Sequence, residues 1–189
     1  MQLEKTILPG VLIIIPPRFG DARGWFCETW NAEKLALLGI TTNFLQDNHS
    51  YSAAKGTLRG LHYQRPPHAQ DKLVRCSRGT VFDVAVDIRR GSPTYGKWVG
   101  VELSAENGKQ LFIPKGLLHG FVTLEKNCEL QYKCSDFYAP DYDGGIRWDD
   151  QTIGVDWGLK EDAPVLSAKD AVAPLMADFK TPFDWRGSL

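Results

Sequence analysis

From about residue 40 onward the chain is a succession of short apolar runs, each closed by residues that favour turns. Arg78-Gly79, Gly91-Ser92-Pro93, Glu106-Asn107-Gly108 and Lys126-Asn127 punctuate "KLVRCSRGTVFDVAVDIRRGSP", "KWVGVELSAENGKQLFIPKG" and "HGFVTLEKNCELQYKCSDFYAP". Such signals at roughly 8–12-residue spacing predict an antiparallel sandwich or barrel. Within Thr80 to Ile88, strict alternation puts Phe82, Val84, Val86 and Ile88 on one face and Val81, Asp83, Ala85 and Asp87 on the other. The expected fold is all-β, with a few peripheral short helices.

Two helices are expected. One spans about Ala32 to Leu38 behind Asn31 as N-cap; the other starts behind Ser167 and runs towards Asp178, with Pro174 breaking or ending it early. The 189 residues read as one domain, 1–189, without linker, repeat or long charge block. Lys and Arg number 22 against 23 Asp and Glu, a net charge of −1 that gives no global pull towards nucleic acid or an acidic membrane. An anionic ligand therefore needs a local cluster of cations. Val11 to Ile15, closed by Pro16-Pro17, is too short for a membrane span and reads as a strand. Cys27, Cys76, Cys128 and Cys134 form no CxxC pair and read as free thiols, which fits a cytoplasmic protein.

"TLRGLHYQ" sets a cation and an imidazole in a strand. Arg59 and His62 are costly to bury unpaired, and Gly60 weakens a strand ladder. Strict alternation puts His62 with Leu58, Gly60 and Gln64 and turns Arg59 the other way. Either Gly60 marks a bulge that re-aims one of them, or the two serve different parts of a site. Further on, Gly108, Pro114, Gly116 and His119 have the spacing G-x5-P-x-G-x2-H, which resembles the second sequence motif of the cupin superfamily, with Thr123 where that motif ends in Asn. Metal-binding cupins need an HxH on an earlier strand; here His62-Tyr63-Gln64 stands there. One His62 and one His119 do not hold a transition metal tightly, so no metal site is expected.

"FGDARGWFCETW", "FLQDNHSYS", "LRGLHYQ", "KLVRC", "FIPKGLLHGFV", "YKCSDFYAP", "GIRWDD" and "LSAKD" together resemble the dTDP-4-dehydrorhamnose 3,5-epimerase family, in order and from about residue 5 to residue 175. The resemblance implies a cupin-type jelly-roll sandwich, a homodimer, and catalysis without metal or organic cofactor on a dTDP-4-keto-6-deoxyhexose. The C4 ketone of such a sugar acidifies the protons at C3 and C5. Epimerisation then needs a base on one face, an acid on the other and a charge beside the enolate oxygen. By motif match the base is His62, its carboxylate partner Asp170, the acid Tyr132 and the enolate's counter-charge Lys72. Arg23 and Arg59 match diphosphate-binding positions. Glu28, Gln46, Asp47, Asn48, His119 and Lys169 fall on ligand-contact positions, and Tyr138 on that of an aromatic that stacks on thymine.

Three further residues are assigned by position: Asp83 is expected to line the cup near Lys72 or His62, and Phe19 and Phe26 to flank Arg23 and pack on the nucleotide. Asp143 stands at a contact position, at the nucleotide end, where the family commonly has the longer Glu; Gln151 and Gly158 are loop departures. Rival readings are an epimerase of C3 alone or C5 alone, a non-catalytic nucleotide-sugar-binding cupin, and a metal-dependent cupin. The last is weakened by the missing ligands, and a binding module leaves Tyr132 and Asp170 without a task.

Overall fold

The computed structural model describes residues 1–159 and 163–187. Its strands are β1 (Gln2–Lys5), β2 (Leu12–Ile15), β3 (Arg18–Asp21), β4 (Gly24–Cys27), β5 (Gln46–Ser52), β6 (Leu58–Gln64), β7 (Lys72–Arg78), β8 (Thr80–Asp87), β9 (Trp98–Ser104), β10 (Gln110–Ile113), β11 (Leu117–Thr123), β12 (Cys128–Cys134) and β13 (Asp143–Gly145). A six-stranded sheet in the order β1-β2-β10-β7-β12-β5 faces a five-stranded sheet in the order β13-β6-β11-β8-β9. Every neighbouring pair is antiparallel. The fold is the expected all-β sandwich, and the Val11–Ile15 run becomes β2, an interior strand of the larger sheet.

Three apolar layers follow from the alternation. Val74, Cys76, Leu111, Ile113 and Leu130 of the larger sheet meet Val81, Ala85, Val101, Leu103, Leu117 and Phe121 of the smaller one between the sheets. The outer face of the smaller sheet, with Leu58, Leu61, Val84, Val86, Ile88, Leu118 and Val122, is covered by Ile146, Ile153, Trp157, Met176 and Phe183 of the C-terminal chain. The outer face of the larger one is covered by Leu35 and Ile40. Both faces of β8 are thus buried, so Asp83 and Asp87 point into protein rather than water.

Helix α1 (Ala32–Leu37) starts where the Asn31 side chain accepts the Lys34 N–H. The second helix, α2, is shorter than expected: Ser167 caps it, but it spans only Ala168–Ala171, and a single 3₁₀ turn, Met176–Asp178, follows beyond Pro174. That proline removes a backbone donor and clashes with the turn before it, so the chain straightens. All four cysteines are free. Burial pushes the Cys76 thiol up to about 11 and raises those of Cys128 and Cys134, so these three pack as small apolar side chains.

Asp87 is the best-satisfied buried charge. It accepts from Arg89 Nη2 at 2.7 Å, Ser92 Oγ at 2.6 Å and Thr94 Oγ1 at 2.7 Å. Burial pushes its carboxyl up, but these bonds outweigh that and hold it below its ordinary value. A carboxyl lowered by folding stabilises the native state above its unfolded pKa, and that contribution is lost as pH falls through the folded value. Asp87→Asn leaves Arg89 buried without its counter-charge and should lower stability by about 3 kcal/mol at pH 7. In urea titrations the gap between wild type and variant should persist down to about pH 4 and close below it.

Candidate active site

Strand β6 does not alternate strictly. Its register against β11 pairs His62 with His119 and Arg59 with Phe121, so two residues on β6, Gly60 and Leu61, stand opposite one on β11, Gly120. The extra residue is a bulge at Gly60-Leu61, and it decides between the alternatives that alternation leaves open. Leu58 and Leu61 both enter the outer core, while Arg59 and His62 share the inward face. The site tolerates no side chain at the bulge. Gly60 has φ of +130°, and a Cβ there would lie 2.6 Å from Gly120 Cα.

His62 Nε2 lies 2.5 Å from Asp170 Oδ1. A carboxylate only accepts, so the ring proton sits on Nε2 and the Nδ1 lone pair is free. Asp170 arrives on α2, because the segment before it runs beside β6, where the Leu58 N–H donates to Val165 O at 3.0 Å. Burial pushes the Asp170 carboxyl up, yet the hydrogen bond and charge of His62, with bonds from Ser167 and the Gly60 N–H, hold it below its usual range. Beside this pair, His119 Nε2 donates to Asp83 Oδ2 at 2.9 Å, deep in the same sheet. Asp83 is fully buried behind His119.

The opposing sheet contributes rows in register. Lys72, Cys134 and Gln46 form one row across β7, β12 and β5; Val74, Tyr132 and Asn48 form the next. Tyr132 reaches across so that its ring centroid lies 6.4 Å from that of His119. Burial raises the Tyr132 hydroxyl above its ordinary value against a smaller lowering by Arg59, so it stays protonated at neutral pH. Burial lowers Lys72, partly offset by Cys134, Asp143 and Asp83. His62, Asp170, His119, Asp83, Lys72, Tyr132, Asn48, Gln46 and Arg59 thus converge on one inter-sheet cup. Cys134 and Gln64 also face it, and both lie two residues beyond an expected site residue on the same strand, which is the signal that could have found them.

Other expected site residues lie elsewhere. Asp47 is on the outward face of β5, pairing with Lys133 at 2.9 Å, because β5 alternates strictly and turns Gln46 and Asn48 inward but Asp47 outward. Arg23, Phe19 and Phe26 sit on the β3–β4 hairpin, a separate two-stranded sheet, with Phe19 64% and Phe26 68% exposed. Arg23 binds Asp21 at 2.5 Å, and Glu28 binds Lys34 at 2.7 Å. None of these five faces the cup of its own chain. Asp143 and Lys169 form an ion pair with each other at the edge beside β6. Tyr138 is 60% exposed in the loop after β12, which rules out a core tyrosine. Among the described residues no group of three or more His, Cys, Asp or Glu side chains converges as a metal site, and no helix is long and apolar enough to cross a membrane.

A family profile described as dTDP-4-dehydrorhamnose 3,5-epimerase matches residues 5–178. The enzyme of that description from Salmonella typhimurium is 55% identical over 177 residues, 93% of this chain and 96% of that protein. A Legionella pneumophila 3,5-epimerase, solved in complex with dTDP-4-keto-L-rhamnose, superimposes with a TM-score of 0.93 at 46% identity, covering 98% of this chain and 99% of that one. A 3′-monoepimerase of Streptomyces bikiniensis with dTDP-quinovose bound gives a TM-score of 0.85 at 33% identity, over 91% of this chain and 86% of that one.

Gly60→Ala should either prevent folding or cost about 3 kcal/mol or more, since the new Cβ meets backbone at a left-handed position. Thermal unfolding of the variant measures this, with Gly56→Ala, also at positive φ but facing open space, as the milder reference.

Proposed function

Because the chain belongs to the dTDP-4-dehydrorhamnose 3,5-epimerase family, we infer that it is an isomerase inverting C3 and C5 of dTDP-4-dehydro-6-deoxy-D-glucose to give dTDP-4-dehydro-β-L-rhamnose. The observation that carries the residue assignment is the opposition of His62 and Tyr132 on facing sheets of one cup. A sugar ring held between them presents one face to each. His62 Nδ1 takes the C3 or C5 proton while Asp170 holds the Nε2 proton and balances the imidazolium. The electron pair delocalises onto the C4 oxygen beside Lys72. The Tyr132 hydroxyl then delivers a proton to the opposite face, inverting the carbon, and both groups re-equilibrate with solvent. The substrate's own ketone supplies the acidity, so the scheme calls on no cofactor.

Arg59 at the cup is our candidate for the diphosphate, and Tyr138 for the thymine face, with Asn48, Gln46, His119 and Lys169 as further contacts. Asp143, shorter than Glu, serves in this reading as the partner of Lys169. We assign Arg23, Phe19, Phe26 and Glu28 to the cup of a second copy. Their exposure on a detached hairpin, with a motif match to ligand-contact positions, supports a homodimer in which hairpins are exchanged. Asp47 faces away from the cup and is no longer a candidate contact. Four free thiols support a reducing, cytoplasmic setting, and we read residues 1–189 as one cupin-like unit.

Proton NMR in heavy water should show deuterium entering both C3 and C5 of the substrate, and His62→Ala should abolish exchange at both. Exchange at one carbon alone would reassign the chain as a mono-epimerase. Tyr132→Phe should still wash protons out while forming little inverted product.

The dimer has its own test. Mixing His62→Ala with Arg23→Ala chains and allowing subunit exchange should restore roughly a quarter of wild-type activity, because half the dimers are mixed and each has one intact cup. No recovery would return Arg23 to its own chain.

A further inference from the structure

Strand β6 ends in an inward-facing glutamine, Gln64, which is 5% exposed and two residues beyond His62. Both ends of its carboxamide are engaged. Oε1 accepts the Ala139 N–H at 2.9 Å, and Nε2 donates to Phe137 O at 3.1 Å and to His68 O at 2.7 Å. From the opposing sheet, Gln46 Oε1 accepts the Tyr138 N–H at 2.9 Å. Three successive backbone units, 137 to 139, are thus held by two glutamines reaching from different sheets, in a loop that has no strand partner of its own. Tyr138, between them, keeps its ring 60% exposed.

We infer that Gln64 is a positioning residue for nucleotide binding: it fixes the Tyr138 loop, and so the stacking surface for the base, to the strand that carries the catalytic imidazole. The inference rests on the reading of Tyr138 as the thymine platform. The chemistry favours glutamine because the position needs one acceptor and two donors on one buried, uncharged group. A carboxylate would oppose two carbonyl oxygens, and an apolar isostere would leave three part-buried backbone groups without this partner. Because His62 and Gln64 project from one face of one strand, the spacing between reaction centre and base platform is set by backbone geometry alone.

A double-mutant cycle on dTDP binding by calorimetry, using the full chain, tests this. Tyr138→Ala should raise the Kd about tenfold or more, as loss of one stacked base does. Gln64→Met should raise it about tenfold, and should raise KM by a similar factor while kcat at saturation and its pH profile change less than about twofold. In the Tyr138→Ala background, Gln64→Met should add less than about a twofold effect. Gln64→Glu, which keeps the acceptor for Ala139 but sets a carboxylate against two carbonyl oxygens, should weaken binding at least as much as Gln64→Met and serves in the same cycle if the methionine variant does not fold. A strong Tyr138→Ala effect with Gln64 variants that bind normally, or that lose the same factor in both backgrounds, overturns the inference. An unchanged Kd in Tyr138→Ala overturns the stacking reading and the inference with it.

Discussion

One extra residue in β6 governs the geometry of the cup. Opposite Gly120 the strand fits two residues, Gly60 and Leu61, and the fit requires that both glycines lack side chains. Without the bulge, period-2 alternation would send Arg59 into the outer apolar layer or pull Leu61 out of it. With it, two leucines pack under the C-terminal chain and two basic side chains share the inward face. The cost is a gap in the ladder, and Asp170 lies beside the bulge, bound to His62. The imidazole, its carboxylate and the bulge form one unit.

The cup is polar yet lies inside the sandwich, and charge pairing is what permits this. Asp83 with His119, Asp170 with His62 and Asp87 with Arg89 each bring a carboxylate to a cationic or donating partner at hydrogen-bond distance. Lys72 and Tyr132 are the exceptions. Burial pushes their titrations in opposite directions, the ammonium down and the phenol up. Shifts of this kind mark groups held in a desolvated setting, as candidate site residues often are. Lys72 and Tyr132 come from the larger sheet and His62 and His119 from the smaller one, so the cup is walled by both sheets.

Much of this was legible in the chain. Gly79, Gly108 and Asn127 reverse the chain where turns are expected, each carrying it from one sheet to the other, because positive φ is read directly from residue type. The inward positions of Asp83, Tyr132 and Asn48 follow from alternation anchored on apolar neighbours. Where reasoning from strands alone fell short, the reason is local in each case. Arg59 and His62 needed the bulge, whose register depends on β11. Asp47 turns outward because β5 is regular, and a motif match carries no face. The second helix stopped at Ala171 because four residues satisfy its capped first turn and the proline then removes the means to continue.

What the sequence by itself determined is the chemistry available: an all-β chain with few histidines, no ligand set for a metal, and motifs in an order that resembles one family. Those properties reside in residue types and short-range spacing. Only the tertiary structure decided which groups meet. His62 and Asp170 are 108 residues apart, Gln64 and Ala139 75 apart, and the β3–β4 hairpin stands off the cup that its residues were expected to line. Such pairings depend on register between strands distant in sequence and on which face of a sheet a segment crosses. No local pattern encodes either, because each is fixed by the partner strand rather than by the chain's own neighbours.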